Sequence, residues 1–401
     1  MTLNLRDAGV FSEILYEKMK KINAGIDQLE LYEFRYGLAN LAPGNGDWSS
    51  IELDTEADVE ERIHSSDFYS SIQVKPRLDD RIVLNKSIVR LARMLFAGLA
   101  AGKYKEEWVR AHFYFDIRGF YFLTRTIYFT DDVVNHLGGK PFRSFEPKQI
   151  RFERWQDLGY KPFREANAKV DGAFVEYLDK LVTIKGTPVV IAVAGPTAAG
   201  KTEIVERLRG SFERTGRQVT SIEVDNFLTD RDYREEKGIH TLGKDAIHFG
   251  LFKQSLEDIC RGFKITIPRY DFVYATSSHD LDGSLRPGAV PLEIDPAEII
   301  FIEGNFPFLL EGITHLIGIK VVYLTDDAVR LKRKWKRDID YRKKYEPTYF
   351  RNRYFRNRFL MAQRCYVPQM QVCDLVVDTT GAAIWATPEV AGILRQGKEA
   401  V

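Results

Sequence analysis

Residues 195–202 read Gly-Pro-Thr-Ala-Ala-Gly-Lys-Thr, two glycines enclosing four residues with a lysine and a hydroxyl directly behind them. This spacing suits a backbone that must curl around phosphate oxygens. Gly195 and Gly200 let the chain turn without Cβ obstruction, and Pro196, Thr197, Ala198 and Ala199 complete a cradle of main-chain groups. Lys201 is placed to reach β- and γ-phosphates, and the Thr202 hydroxyl to ligate Mg²⁺. The expected ligands are therefore ATP and Mg²⁺. The alternative is a tight strand–helix turn in which Lys201 is merely exposed.

Two further acids stand where chemistry would need them. Asp225 directly follows the strand-like stretch Val219–Val224, and Glu303-Gly304 follows Ile299–Ile302. Carboxylates at the ends of buried strands face the ligand edge of an open α/β sheet. There Asp225 is read as a general base taking a hydroxyl proton, and Glu303 as a carboxylate supporting the metal, with Gly304 permitting close backbone approach. Either could instead open a turn.

Residues 330–344 carry nine cations, with Leu331, Trp335 and Ile339 spaced by four. That pattern predicts an amphipathic helix whose arginines could close as a lid over a transferred phosphoryl group. Arg351, Arg353, Arg356 and Arg358 interleave with Tyr354 and Phe355, a combination that also suits RNA.

The elements that must position these residues divide the chain in two. Residues 1–183 read as a mostly helical domain of unassigned role. Ile88, Leu91, Leu95 and Leu99 share one helix face, and the aromatic stretch from Trp108 to Phe129 is compatible with a long buried helix or a strand. His64, His112 and His136 are scattered without ligand spacing. Gly186-Thr187-Pro188 breaks this pattern. Residues 184–401 then alternate helices with apolar runs at Val189–Ala194, Val219–Val224, Ile299–Ile302, Lys320–Leu324 and Leu375–Val377. Continuous rather than alternating Val/Ile runs predict parallel strands buried on both faces, a P-loop α/β fold with helices on both sides of the sheet. Lys264–Phe272 and Val290–Ile294 are expected to pair as a ribbon.

Composition narrows the classes. Lys and Arg number 58 against 57 Asp and Glu, a net charge of +1, so no bulk field favours nucleic acid or a membrane surface. The three cysteines lack C-x-x-C spacing, which argues against a disulfide framework or thiolate metal site. The chain begins without an apolar leader, and Leu91–Ala101 is far shorter than the ~20 residues of a membrane span. A cytoplasmic protein is expected.

The ordered set of motifs resembles the phosphoribulokinase/uridine kinase family over roughly residues 187–380. Beside the phosphate loop, Val224-Asp225-Asn226-Phe227 is similar to its D-[SD]-F-Y segment, and Asp245-Ala246, expected to open a helix, to its P-D-A-[FW]-D. Ile267-Pro268-Arg269-Tyr270-Asp271-Phe272 is similar to I-P-x-Y-D-F, Ile302-Glu303-Gly304 to F-E-G, and Arg337-Asp338-Ile339 with Arg342 to the lid R-D-I-x-x-R. The resemblance implies that Asp225 is the general base, Glu303 supports Mg²⁺, and Arg337 and Arg342 are lid arginines. It further implies that Tyr270 and Asp245 line the acceptor site. The departures fall on acceptor recognition: Leu228 replaces a tyrosine, Leu242-Gly243-Lys244 precede Asp245 where the family's motif begins with an aspartate that grips ribose, and Ala275 stands for a base-reading histidine. His240, His248 and Lys244 are near enough in sequence to build a different acceptor site, for an anionic or sugar-like substrate. The expectation is transfer of the ATP γ-phosphoryl group to a hydroxyl of a nucleoside, sugar or related small metabolite. A nucleotide-binding regulatory or RNA-modifying protein is the second reading. Self-association stays open.

Overall fold

The computed structural model describes residues 6–23, 26–27, 29–65, 67–68, 74–76, 82–84, 86–116, 121–146, 164–239, 243–325, 330, 333–334, 337 and 360–396. They form two compact units, one up to Ile127 and one from Tyr128 onward.

The first unit is mostly helical. Its long helix Lys86–Ala100 buries Ile88, Leu91, Leu95 and Leu99 together, the face expected from their spacing. Helices Ala8–Ile22, Leu31–Ala39 and Glu56–Ile63 accompany it. Phe96 lies at the centre of an aromatic cluster, its ring 5.1 Å from Phe122 and 5.7 Å from Phe115. The aromatic stretch is not one helix. Glu106–His112 is helical, then Phe113–Asp116 pairs antiparallel with Tyr121–Thr124. Aromatic side chains favour the extended backbone of a pleated sheet and here override continuation of the helix.

The second unit is built on a seven-stranded sheet. The elements that position the site are α1 (Ala168–Lys185), β1 (Val189–Ala194), α2 (Lys201–Arg214), β2 (Val219–Glu223), α3 (Phe249–Cys260), β3 (Ile265–Ile267), β4 (Leu292–Ile294), β5 (Ile299–Gly304), β6 (Ile319–Leu324), β7 (Leu375–Asp378), β8 (Ala383–Ala386) and α4 (Pro388–Gln396). The strand order is β7-β6-β1-β5-β2, all parallel. Beyond β7 lie antiparallel β8 and the edge strand Arg143–Ser144. The first strand is thus central, with the next two on one side and the last two parallel strands on the other.

Both faces of the sheet are covered, as the Val/Ile runs require. Val190, Ala192, Ile222, Ile300, Ile302 and Val322 pack toward α3 residues Phe252, Leu256 and Ile259. The alternate residues Ile191, Val193, Phe301 and Val321 pack with α1, α2 and α4. The ribbon forms as expected, with Ile267 opposite Leu292 and Ile265 opposite Ile294.

Three local differences have physical causes. The second run ends at Glu223, and Val224–Phe227 is a 3₁₀ turn. Asp245 does not open a helix: Lys244–Ala246 is one 3₁₀ turn, and a bridge between Leu228 and Ile247 keeps the chain extended until α3 begins at Phe249. The compact units part at Ile127/Tyr128 rather than at 183/184, because α1 buries Val170, Phe174, Tyr177, Leu178 and Leu181 in the sheet's core.

Candidate active site

The loop 195–200 leaves the C-terminal end of the central strand β1 and opens directly into α2, whose first residue is Lys201. Gly195 has φ +154°, and a Cβ there would lie 2.3 Å from the Tyr323 carbonyl oxygen on neighbouring β6, so only glycine fits. Ala198 is held at φ +61°, a left-handed conformation that costs an L-residue about 1–2 kcal/mol. The surrounding hydrogen bonds maintain it. Thr325 Oγ1 donates to the Ala199 carbonyl at 2.8 Å, Arg333 Nη1 to the same oxygen at 3.2 Å, and Arg330 Nη1 to the Thr197 carbonyl at 3.1 Å.

Lys201 is folded back onto this loop, donating to the Gly195 carbonyl at 3.0 Å and to the Pro196 carbonyl at 3.3 Å. Burial pushes its ammonium pKa down. The charges of Glu303 and Asp225 pull it back up, and Arg337 and Arg330 lower it further. Lysine, two acids and two arginines therefore share one electrostatic site.

Glu303 is the last residue but one of β5, opposite Val193 of β1 and Glu223 of β2. Its Oε1 accepts a hydrogen bond from Thr202 Oγ1 at 2.8 Å. Its Oε2 is buried and has no hydrogen-bond partner among the described residues. Burial raises its pKa to about 7, against the attraction of Lys201; Glu223 adds to the rise. A hydroxyl donating to a carboxylate keeps its lone pairs for a cation. Together with the orphaned oxygen this fits Mg²⁺, which takes one or two protein groups and completes its shell with phosphates and water. Among the described residues no group of three or more His, Cys, Asp or Glu is placed to hold a metal unaided.

Asp225 sits half-buried on the 3₁₀ turn after β2. Buried Val224 and Phe227 anchor that turn, the Phe227 ring standing 5.0 Å from Phe252. Glu223, registered opposite Glu303 across the β2–β5 pair, also belongs to the site. Burial raises its pKa, and Asp225 and Glu206 add to the rise. The sequence reading missed Glu223 because it carried the run on to Val224, which placed this acid inside the strand and not at its end. Asn305 was missed as well: it is 4% exposed, and its Oδ1 has no hydrogen-bond partner among the described residues.

On the acceptor side, Tyr270 is buried, its hydroxyl accepting from Arg234 Nη2 at 3.0 Å, and Arg234 also donates to the Thr229 carbonyl. Asp245 and Lys244 are exposed. His248 is buried, with Nε2 3.2 Å from Ser277 Oγ. Leu228 is in the core. Arg337 is half-buried. Arg342, His240, Leu242 and the cluster Arg351–Arg358 lie outside the described residues, as does most of the basic run 330–344.

A model of the phosphoribulokinase / uridine kinase family matches residues 190–384. Over 160 residues the chain is 31% identical to the uridine kinase of Brevibacillus brevis, spanning 39% of this chain and 69% of that protein. The chain belongs to the phosphoribulokinase/uridine kinase family. It is 26% identical over 197 residues to the uridine kinase of Lactobacillus helveticus, covering 48% of this chain and 88% of the relative. Among solved structures, the phosphoribulokinase from Rhodobacter spheroides aligns with 47% of this chain and 69% of its own at 18% identity, TM-score 0.34. The family is one of kinases, and this member is an ATP-dependent phosphotransferase acting on an alcohol. No described helix is long and apolar enough to cross a membrane.

Proposed function

We propose that the second unit transfers the γ-phosphoryl group of ATP to a hydroxyl of a nucleoside-, sugar- or related small metabolite, with Asp225 as general base. The observation that carries this reading is the convergence of Lys201, Thr202, Asp225 and Glu303 at the C-terminal edge of one sheet. The loop 195–200 and the α2 N-terminus would hold the triphosphate. Thr202 and Glu303 would hold Mg²⁺, which when bound neutralises charge on the phosphate oxygens. Asp225 accepts the proton as the acceptor oxygen bonds to the γ-phosphorus. The bond from that phosphorus to the β–γ bridging oxygen breaks, and ADP leaves. Lys201 and Arg337 stabilise charge spread over the transferred group. Tyr270 and Asp245 are assigned to the acceptor side.

Uridine is expected to be a poor acceptor. Leu228 is buried in the core and supplies no hydrogen bond to a substrate, and Ala275 offers none from its side chain. A site built to bind a hydroxyl loses discrimination steeply when that group is removed. ATP consumption measured over nucleosides, sugars, sugar phosphates, pantothenate and glycerate identifies the acceptor. With it, Asp225→Asn should lower kcat by ~10²–10⁴-fold while leaving ATP affinity nearly unchanged. Lys201→Ala should instead abolish nucleotide binding. Normal turnover by Asp225→Asn would remove the base from the mechanism.

A further inference from the structure

Helix α1 lies before the family-matched region, yet one of its side chains reaches toward the phosphate loop. Asp171 is 2% exposed. It accepts a hydrogen bond from the Tyr323 hydroxyl at 2.8 Å and pairs with Arg207 on α2. Burial raises the pKa of its carboxyl, while the Tyr323 hydrogen bond and Arg207 hold it down. No step of phosphoryl transfer uses this acid.

Tyr323 meets the loop at both of its glycines. Its carbonyl oxygen stands where a Cβ on Gly195 would come within 2.3 Å, and its ring Cε1 is 3.5 Å from where a Cβ on Gly200 would be. The ring therefore backs the far end of the loop while the main chain of the same residue backs the near end. Arg333 closes the other side, bonding the Ala199 carbonyl and Glu203. A tyrosine ring held only by packing can rock about χ1 and χ2; one whose hydroxyl is bonded to a fixed carboxylate cannot. Through Arg207 the same carboxylate fixes α2, the helix whose first turn is the phosphate site.

We propose that Asp171 is a positioning residue for the phosphate loop, holding Tyr323 so that both glycine ends stay at the separation a triphosphate needs. This rests on the reading of residues 195–202 as the ATP site.

The test is Mg·ATP affinity by calorimetry on the full chain, well below the unfolding temperature, with thermal stability measured in parallel. Tyr323→Phe keeps the ring and removes the anchor. It should weaken ATP binding about 5- to 20-fold, the loss of one hydrogen bond to a buried charge. Asp171→Leu should weaken it similarly and lower stability, since it leaves the tyrosine hydroxyl buried without an acceptor. In the double variant the tyrosine hydroxyl is gone as well, so stability should recover in part, with Arg207 still lacking its carboxylate, while ATP affinity stays weak. A merely structural role predicts that affinity recovers with stability; that result overturns the proposal, as does Tyr323→Phe binding ATP within twofold of wild type. If Asp171→Leu does not fold, Tyr323→Phe alone decides. Wild-type protein that fails to bind Mg·ATP overturns the site reading and this inference with it, whereas wild-type binding with unaffected variants overturns only the inference.

Discussion

Glu303 is the residue on which the site's electrostatics turn. Its carboxyl has an ordinary value of 4.5 and is raised to about 7 by burial, a difference of about 3 kcal/mol between its two protonation states. The sign follows from linkage. A carboxyl raised in the folded protein binds its proton more tightly there than in the unfolded chain. Its contribution to stability is therefore fully present below about pH 4.5 and lost as pH rises through about 7. Ligand-free protein should accordingly lose thermal stability between pH 5 and 8. Glu303→Gln should flatten that part of the profile. Mg·ATP should restore stability at the alkaline end, because a bound cation favours the ionised form. A melting profile in which Glu303→Gln retains the full wild-type pH slope would assign the loss to other groups. Glu223 shifts in the same direction and will add to the slope.

Among elements, the strand–loop–helix unit leaves the least freedom. β1 pairs in register with β5 on one side and β6 on the other, Ala194 lying opposite Gly304 and Val322. The loop must begin at the next residue, against the β6 backbone. Gly195→Ala would put a methyl group 2.3 Å from a carbonyl oxygen, so either the loop or β6 must move. The expected result is loss of more than tenfold in ATP affinity and a lowered melting temperature, since overpacking costs about 1–3 kcal/mol. Wild-type affinity in that variant would contradict the close approach. Here the sequence was fully legible, because glycine spacing, β-branched strand and amphipathic helix are all local signals. The 3₁₀ turns at Val224–Phe227 and Lys244–Ala246 were not, because a bridge between distant residues, Leu228 and Ile247, decides where α3 begins.

At the scale of the whole molecule, the boundary read at 183/184 has a consequence for truncation. Phe174, Tyr177, Leu178 and Leu181 on α1 are almost completely buried against the sheet. At about 1.5–3 kcal/mol each, their removal would cost about as much as the entire stability of an ordinary domain, about 5–15 kcal/mol. A chain starting at residue 184 should therefore give no cooperative unfolding transition, whereas one starting at 128 should. Soluble yield and calorimetric unfolding of the two truncations test this directly. A well-folded 184–401 fragment would restore the sequence boundary and show that α1 is dispensable.

The sequence by itself determined the phosphate loop, the five parallel strands and the two acids Asp225 and Glu303 near the ends of two of them, because each is written in neighbouring residues. Only the tertiary structure decided which groups meet. Thr202 and Glu303 are 101 residues apart and share a hydrogen bond; Asp171 and Tyr323 are 152 apart. Strand order and register bring them together, and neither is encoded in any local pattern. The same holds for Glu223, which joins the loop's site because β5 lies between β1 and β2. The loop at Gly195–Thr202 was readable as a phosphate cradle from its spacing; that it is braced from behind by a helix outside the family region emerged only from the fold.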